Sequence, residues 1–183
     1  MGQNCNPTYD PNEDPDGAPC AEGLACDPVA GTEDYVCGTP LQIHGMVVDA
    51  ITLAPLPGAL INGLDRTGAP LGLIAVSDEL GHYELPVTAP RDPSGEIAAD
   101  AKYTLQGFAI DYQPFPSGIR VALPISAAEA VLDTTLGTYV ISNPGTTVGL
   151  IQLPPEQRGG VTITGHVLGV EPGGALVVAE GAT

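Results

Sequence analysis

Short runs of alternating apolar and polar residues dominate the chain, and proline, glycine and aspartate separate the runs. In Ile43-His44-Gly45-Met46-Val47, for example, apolar or small side chains recur at every second position, which is typical of a half-buried β-strand. Such runs predict strands at residues 41–49, 58–64, 71–77, 82–88, 101–110, 118–125, 136–142 and 147–153. We therefore predict an all-β fold, an antiparallel β-sandwich of about seven to eight strands, with a disulfide-stapled N-terminal segment.

One short helix is expected among these strands, at residues 126–132. Ser126 can cap its first turn and Glu129 completes a capping box. The composition otherwise favours strands and turns, since the chain has 24 glycines, 19 prolines and no tryptophan. Alternation places Val47 and Tyr83 on the inward side of their strands, so both are predicted core residues.

Three segments differ in their chemistry. Residues 1–38 form a predicted cysteine-rich module, residues 40–155 the main sandwich, and residues 160–183 the first two strands of a second, incomplete repeat. The last interpretation rests on self-similarity, because Ile163-Thr164-Gly165-His166-Val167 aligns with residues 43–47. Two strands alone are marginal in water, so this segment must pack on its own sandwich, pair with another chain or belong to a longer parent. We expect pairing with another copy of the chain.

The order of three motifs resembles the carboxypeptidase regulatory-like domain, a small transthyretin-like β-sandwich. The motifs are residues 43–49, Pro55-Leu56-Pro57-Gly58-Ala59-Leu60-Ile61 and Asp78-Glu79-Leu80-Gly81-His82-Tyr83-Glu84-Leu85. In that family the domain is an accessory module of secreted and surface proteins. The resemblance therefore implies a fold and a habit of secretion, but no reaction.

All four cysteines, Cys5, Cys20, Cys26 and Cys37, lie in a polar segment that cannot form its own core. An even number in such a segment predicts disulfides and an oxidising compartment. Three pairings agree with the sequence, and a zinc site is disfavoured because the cysteines are not closely spaced pairs. The local pattern at residues 17–26 resembles small four-cysteine modules of secreted proteins. That resemblance implies pairing of the first cysteine with the third and of the second with the fourth.

The net charge is −17, from 22 acidic and five basic residues. A field of this sign repels phosphate backbones, so we expect no nucleic-acid partner. No run approaches the roughly 20 apolar residues of a membrane span, so we expect no membrane insertion. The expected partners are other copies of the chain or neighbouring domains of a longer parent, and the expected location is extracellular or at the cell surface.

The acidic run Asp10, Asn12, Asp14 and Asp16, followed by Gly17, is the metal candidate. Oxygen ligands at alternate positions before a glycine resemble a calcium loop. The terminal bidentate glutamate is not at its expected place, and an acidic, solvated linker is the simpler interpretation. Calcium is thus the only cofactor that the sequence suggests, and we expect no tight binding.

A ligand-binding candidate is the loop at residues 111–116, where prolines hold Tyr112 and Phe115. Aromatic rings held in this way suit sugar rings or peptides. The chain lacks the familiar hydrolase, metalloprotease and nucleotide motifs. Its three histidines fall in predicted strands and are interpreted as surface or ladder residues.

Together these features favour a non-catalytic extracellular or cell-surface structural or adhesive module, acting as a spacer or self-assembling unit. The alternative is an accessory domain that binds carbohydrate or peptide for a secreted hydrolase. In neither case is the chain expected to be an enzyme.

Overall fold

The computed structural model describes residues 3–7, 20–92 and 94–159, and this part of the chain is nearly all-β. Its strands are β1 (Ala25–Pro28), β2 (Tyr35–Gly38), β3 (Leu41–Asp49), β4 (Leu60–Leu64), β5 (Pro70–Val76), β6 (His82–Val87), β7 (Lys102–Phe108), β8 (Tyr112–Gln113), β9 (Ile125–Ser126), β10 (Val131–Asp133), β11 (Thr138–Ile141) and β12 (Thr147–Gln152). Short 3-10 helices lie at Ala127–Glu129, Pro144–Thr146 and Pro155–Gln157. The predicted calcium loop and the predicted second repeat lie outside the described residues.

Two sheets pack face to face around one core, so the predicted sandwich is confirmed. In the first sheet, β11 and β12 lie one after the other along one edge of β3, and β6 lies along its other edge. β10 pairs with β11, and β8 pairs with β12. The second sheet has the order β5-β4-β7-β9. The inward residues are those of the alternating pattern, namely Leu41, Ile43, Val47, Ile61, Tyr83, Leu85, Tyr103, Leu105, Ile141, Val148 and Leu150. Val47 and Tyr83 are 0% and 2% exposed, which confirms their predicted burial.

The first sheet is mixed rather than antiparallel throughout, which corrects the finer prediction. Strand β3 pairs antiparallel with β6, but it pairs parallel with β11 along its first half and with β12 along its second half. β11 and β12 run in the same direction because they are two halves of one strand path, interrupted by the 3-10 turn Pro144–Thr146. Alternation along a sequence reports a strand but not the direction of its neighbour.

The close approach of Tyr83 to β3 explains why Gly45 lies between Ile43 and Val47. A β-carbon on Gly45 would lie 2.1 Å from the Thr146 carbonyl oxygen and 2.5 Å from the Tyr83 hydroxyl. The phenol therefore occupies the space above the glycine, and its hydroxyl donates to that carbonyl at 2.6 Å. Burial of the ring raises the pKa of Tyr83 far above its usual range, so the hydroxyl stays protonated and remains a donor.

The predicted helix at 126–132 is wrong beyond its first turn. Ser126 does cap, accepting from the Ala128 amide at 3.3 Å, but only Ala127–Glu129 is helical and in the 3-10 form. Glu129 accepts from the Asn143 side-chain amide at 2.6 Å instead of closing a capping box. Residues 131–133 form β10 because β11 offers them a pairing edge. The predicted strand at 118–125 is likewise reduced to Ile125–Ser126.

The N-terminal segment is held by the disulfides Cys5–Cys26 and Cys20–Cys37, which is the pairing that the resemblance implied. The hairpin of β1 and β2 places Cys26 opposite Cys37. The sequence predicted no strand here, since neither run alternates. Within the described ranges no helix has the length and apolar character needed to cross a membrane.

A buried ion pair joins this hairpin to the sandwich. The Arg91 guanidinium donates to the Asp27 carboxylate from Nε at 3.0 Å and from Nη2 at 2.6 Å, and it also donates to the Thr39 carbonyl. The second Asp27 oxygen accepts from the Ala89 amide at 3.1 Å. Gly38 leaves room for the arginine, because a β-carbon there would lie 2.6 Å from the Arg91 Cζ.

Candidate functional site

A cleft of about 480 Å³ lies on the outer face of the first sheet, where β3 and β6 meet the turn after β11. Its polar lining includes the imidazoles of His44 and His82 and the carboxylates of Asp78 and Glu84, with the Met46 thioether among them. His44 and Met46 come from β3, whereas Asp78, His82 and Glu84 come from β6 and the turn just before it, in a separate part of the chain. The cleft is therefore a product of strand pairing rather than of a local motif.

The alternation that builds the core also aims both histidines outward. Ile43 and Val47 are buried, so His44 between them points away from the core, and Tyr83 and Leu85 have the same effect on β6. His44 lies directly opposite Glu84, and Met46 lies opposite His82. The two imidazoles are therefore diagonal neighbours, whose α-carbons in antiparallel pairs lie roughly 7–8 Å apart.

Asp78 lies in the turn before β6, close to the His82 ring. Its Oδ1 accepts from the backbone amides of Leu80 and His82, at 2.8 Å each, which fixes the carboxylate at the start of the turn. Its Oδ2 then lies 3.7 Å from the His82 Nδ1. At 3.7 Å this contact is longer than a hydrogen bond, so the carboxylate lies near Nδ1 without fixing the ring.

Gln42 contacts the His44 ring directly. The His44 Nε2 lies 2.8 Å from the Gln42 Oε1, and because an amide oxygen only accepts, Nε2 carries the proton. The lone pair of His44 is then on Nδ1. The amides of Leu136 and Thr135 lower the pKa of the Asp133 carboxyl on β10, and the His44 imidazole, when protonated, acts in the same direction.

The cleft is open and not closed around an ion. Among the described residues, the only group of three cysteine, histidine or carboxylate ligand atoms within 4.8 Å of one another is Cys5, Cys20 and Cys37, whose sulfurs are in disulfides. The side chains of His82 and Asp78 are 57% and 58% exposed. Binding of a metal ion would thus require the exposed His82 and Asp78 side chains to rotate toward it.

The predicted ligand-binding residues Tyr112 and Phe115 lie at one end of the sandwich, away from this cleft. Both rings pack against the core, and the Tyr112 hydroxyl donates to the Asp49 Oδ2 at 3.2 Å. The Arg120 guanidinium covers Phe115, with Cζ 4.9 Å from the ring centroid. The two rings therefore close this end of the fold, and ligand binding by their exposed parts stays a prediction.

The predicted calcium ligands Asp10, Asn12, Asp14 and Asp16 lie outside the described residues. The sequence placed His44 and His82 on strands but did not bring them together. The available signal was their outward position in two of the three motifs. The pairing of those motifs in register, however, is a tertiary property that alternation does not report.

No protein-family model matches the chain, and a search of curated proteins finds no match. Solved structures that align with it include catechol 1,2-dioxygenase from Acinetobacter sp. ADP1 inhibited by bound mercury, at 14% identity over 78% of this chain and 60% of that one, with a TM-score of 0.43. The 3-chlorocatechol 1,2-dioxygenase from Rhodococcus opacus 1CP aligns at 18% identity over 75% of this chain and 70% of its own, with a TM-score of 0.38. Hydroxyquinol 1,2-dioxygenase from Pseudomonas putida DLL-E4 aligns at 14% identity over 74% of this chain and 64% of its own, with a TM-score of 0.40.

The chain thus spans less than two thirds of the length of the Acinetobacter and Pseudomonas enzymes. At these identities and TM-scores the likeness does not assign a reaction to this chain. None of the neighbours named here is a carboxypeptidase regulatory-like domain, and that resemblance stays a prediction.

Three predictions from the sequence are wrong against these neighbours, which are enzymes. These neighbours contradict the interpretation as a non-catalytic structural or adhesive module, together with its alternative as an accessory domain of a hydrolase. They also contradict the prediction that the chain is not an enzyme and the prediction of no cofactor other than calcium. The sequence argument depended on the lack of familiar local motifs, whereas sites on a β-sandwich combine side chains from separate strands.

Proposed function

We propose that the protein works in an oxidising compartment outside the cytoplasm and binds a divalent transition-metal ion in the cleft between His44 and His82. One observation carries the metal site: two imidazoles on paired strands face one cleft, where Gln42 holds the His44 ring by a hydrogen bond and the Asp78 Oδ2 lies 3.7 Å from the His82 Nδ1. The two disulfides support the compartment, since such bonds persist where thiols are oxidised.

The donor set selects the kind of ion. Imidazole nitrogens suit Zn²⁺, Cu²⁺ and Ni²⁺, whereas Ca²⁺ and Mg²⁺ require mostly oxygen ligands. Glu84 lies opposite His44 and can supply a carboxylate oxygen, and the Met46 thioether lies beside His82. An ion held by two imidazoles and one carboxylate keeps a position open for water or another ligand.

The net negative charge of the chain also favours cation binding in the cleft. A chain of net charge −17 raises the local concentration of cations, most strongly in a cleft that also contains carboxylates. The effect favours any cation, so it adds affinity without selecting the metal. Selectivity has to come from the two histidines.

Isothermal titration of the full chain with Zn²⁺, Cu²⁺, Ni²⁺ and Ca²⁺ tests the proposal. We expect one site for a transition-metal ion, and a loss of at least about tenfold in affinity in His44→Gln and in His82→Gln, because each removes one of two nitrogen ligands. The matched control is His166→Gln, which removes the third histidine and should leave the affinity unchanged.

A second control separates this site from the acidic N-terminal run. The pair Asp14→Ala and Asp16→Ala should not change binding of the transition metal. If the double variant His44→Gln/His82→Gln binds each ion as the parent does, the proposal is wrong. Binding that the Asp14 and Asp16 changes remove would overturn it in favour of the N-terminal run.

A further inference from the structure

Three turns at one end of the sandwich are held side by side by β12. The turn at 50–53 follows β3, the turn at 109–111 joins β7 to β8, and the turn at 117–120 comes after β8. Their contacts with β12 and the residue after it are three hydrogen bonds, from the Ala50 amide to the Leu150 carbonyl at 2.8 Å, from the Leu153 amide to the Asp111 carbonyl at 2.7 Å, and from the Arg120 guanidinium to the Gly149 carbonyl. At about 3.3 Å per residue these contacts span roughly 13 Å, so the turns are neighbours.

Each of these turns presents aliphatic side chains to water. Ile51, Leu53, Ile110 and Ile119 are 79%, 73%, 88% and 100% exposed. We call these four side chains the aliphatic tips. A single exposed aliphatic residue is ordinary, but four on adjacent turns make an exposed apolar patch of the kind that contacts a protein or a membrane.

The charged residues of the chain avoid the turns that carry the tips. Residues 50–64 have no charged side chain and residues 103–119 have only Asp111, although the chain has 22 acidic residues. The Asp111 Oδ1 accepts from the Gly159 amide at 2.9 Å. The acidic turn with Asp78 and Glu79 precedes β6 and so lies on the other side of β3 from β12. The patch is therefore almost uncharged within a strongly acidic molecule.

Folding alone does not explain the leucine at position 53. Its φ of 61° lies in the left-handed region, where leucine is unfavourable and asparagine or glycine is the usual residue. The side chain is largely exposed and so adds little to the core. An aliphatic group at this position is better explained by a contact outside the molecule.

We infer that the aliphatic tips insert into the surface of a lipid bilayer with zwitterionic headgroups, which is a contact beyond the proposed metal site. The tips stand on separate turns, so a protein partner would need a matching pocket for each, whereas acyl chains rearrange around each one. The net charge of −17 opposes approach to anionic lipids and to a second copy of the chain. Zwitterionic lipid avoids both repulsions.

Two of the five basic residues, Arg120 and Arg158, border the patch. Arg158 is exposed, and its Nε donates to the Leu153 carbonyl at 2.7 Å, which holds it beside the turn at 109–111. A guanidinium pairs well with phosphate, so Arg158 can contact the lipid phosphates when the tips are inserted. This contact differs from the membrane insertion that the sequence argued against, because only side chains enter the bilayer and no segment crosses it.

Fluorescence tests the inference directly, because the chain has no tryptophan and one introduced indole reports on one site. In Ile110→Trp and Ile119→Trp, phosphatidylcholine vesicles should shift the emission maximum to shorter wavelength as the indole leaves water. The matched control is Leu136→Trp, at an exposed residue in the turn between β10 and β11. That turn lies at the opposite end of the sandwich, beside the start of β3, so its emission should not change.

Sedimentation of the full chain with the same vesicles, with a chelator present, measures the affinity. Ile51→Ser and Ile119→Ser should each weaken binding about tenfold, because each removes one aliphatic side chain from the bilayer. Leu53→Asn should weaken it similarly and yet melt no lower than the parent, since asparagine tolerates the left-handed backbone. Leu136→Ser should bind as the parent does.

Several results would overturn the inference. These are no binding of the parent chain to phosphatidylcholine, binding that the three tip variants leave unchanged, and binding that requires added phosphatidylglycerol. A short-wavelength emission of Ile119→Trp without vesicles would also overturn it. If that emission depends on protein concentration, the tips contact a second copy, and if it does not, another part of the same chain covers them.

Discussion

At the residue scale, the contact between Tyr83 and Gly45 joins the two strands that form the cleft. The Tyr83 ring is buried and its hydroxyl donates to the Thr146 carbonyl at 2.6 Å, across the space that Gly45 leaves open. The ring thus holds β6, β3 and the turn before β12 together. His82 precedes Tyr83 in β6 and His44 precedes Gly45 in β3, so the relative position of the two imidazoles depends on this contact.

We predict that Tyr83→Ala lowers the free energy of unfolding by about 3–5 kcal/mol, the range for a buried aromatic side chain. Tyr83→Phe removes only the hydroxyl and its hydrogen bond, so it should lower that free energy by roughly 1 kcal/mol. Urea denaturation followed by circular dichroism measures both. A Tyr83→Ala protein within about 0.5 kcal/mol of the parent would contradict the assigned contact, because such a small change is typical of surface positions.

Several aspartates of this acidic chain have a local structural role. Asp65, Asp92 and Asp133 each accept backbone amides two to four residues later. The pKa of each carboxyl group is lowered, mainly by the Thr67 hydroxyl for Asp65, the Ser94 hydroxyl for Asp92 and the Leu136 amide for Asp133. A side chain that accepts in this way begins a turn between strands. Part of the negative charge is thus explained by turns, without reference to a partner.

At the element scale, the Asp27–Arg91 pair fixes the disulfide-linked hairpin on the sandwich. Both side chains are almost fully buried, at 4% and 1% exposure. Burial raises the pKa of the Asp27 carboxyl, and the hydrogen bonds from Arg91 and the Ala89 amide act in the opposite direction. The pair is therefore better understood as a specific docking contact than as a large net source of stability.

We predict that Arg91→Met lowers the free energy of unfolding by about 3–5 kcal/mol, because it leaves the Asp27 carboxylate buried and unpaired. Asp27→Leu alone should destabilise for the same reason, with the charge left on arginine. The double variant should lose clearly less free energy of unfolding than the two single variants lose in sum, since no buried charge remains. A double-mutant cycle by urea denaturation measures this coupling, and additive losses would contradict it.

Strand positions were predictable because alternation depends on one property, the burial of one face. Strand β3 was predicted at residues 41–49, as observed, and β6 and β12 to within one residue. The parallel pairing of β11 and β12 with β3 was not predictable, since it depends on where the chain returns after β9. The meeting of His44 and His82 depends on register between strands, which has no signal inside either strand.

At the scale of the whole molecule, the two sheets share one core but present different outer faces. The first is polar and contains the cleft with the two imidazoles, and the second is apolar around Leu60. A polar sheet face is stable in water, whereas a contiguous apolar one is usually covered. The two faces lie on opposite sides of the sandwich, so a variant of one face should leave the other unchanged.

The net charge of −17 makes a further prediction for the molecule as a whole. Like charges repel one another more in the compact state than in the expanded one, so self-repulsion destabilises the fold and added salt should relieve it. Raising sodium chloride from about 20 mM to about 500 mM shortens the screening length from roughly 20 Å to about 4 Å. We expect the melting temperature to rise by several degrees, since each kcal/mol added to the free energy of unfolding raises it by about 2–4 °C in a chain of this size.

Two opposing effects are too small to reverse the sign. The exposed pair Arg66–Asp100, with 4.0 Å between its charged atoms, is weakened by salt, but pairs of this kind contribute only about 0.2–1 kcal/mol. The buried Asp27–Arg91 pair is screened much less than surface charges. Differential scanning calorimetry in chloride, with a chelator to remove transition metals, isolates the screening effect, because chloride avoids the strengthening of apolar burial by sulfate. A melting temperature that falls or stays constant would show that attraction between specific charges, rather than net repulsion, dominates the electrostatic free energy of this fold.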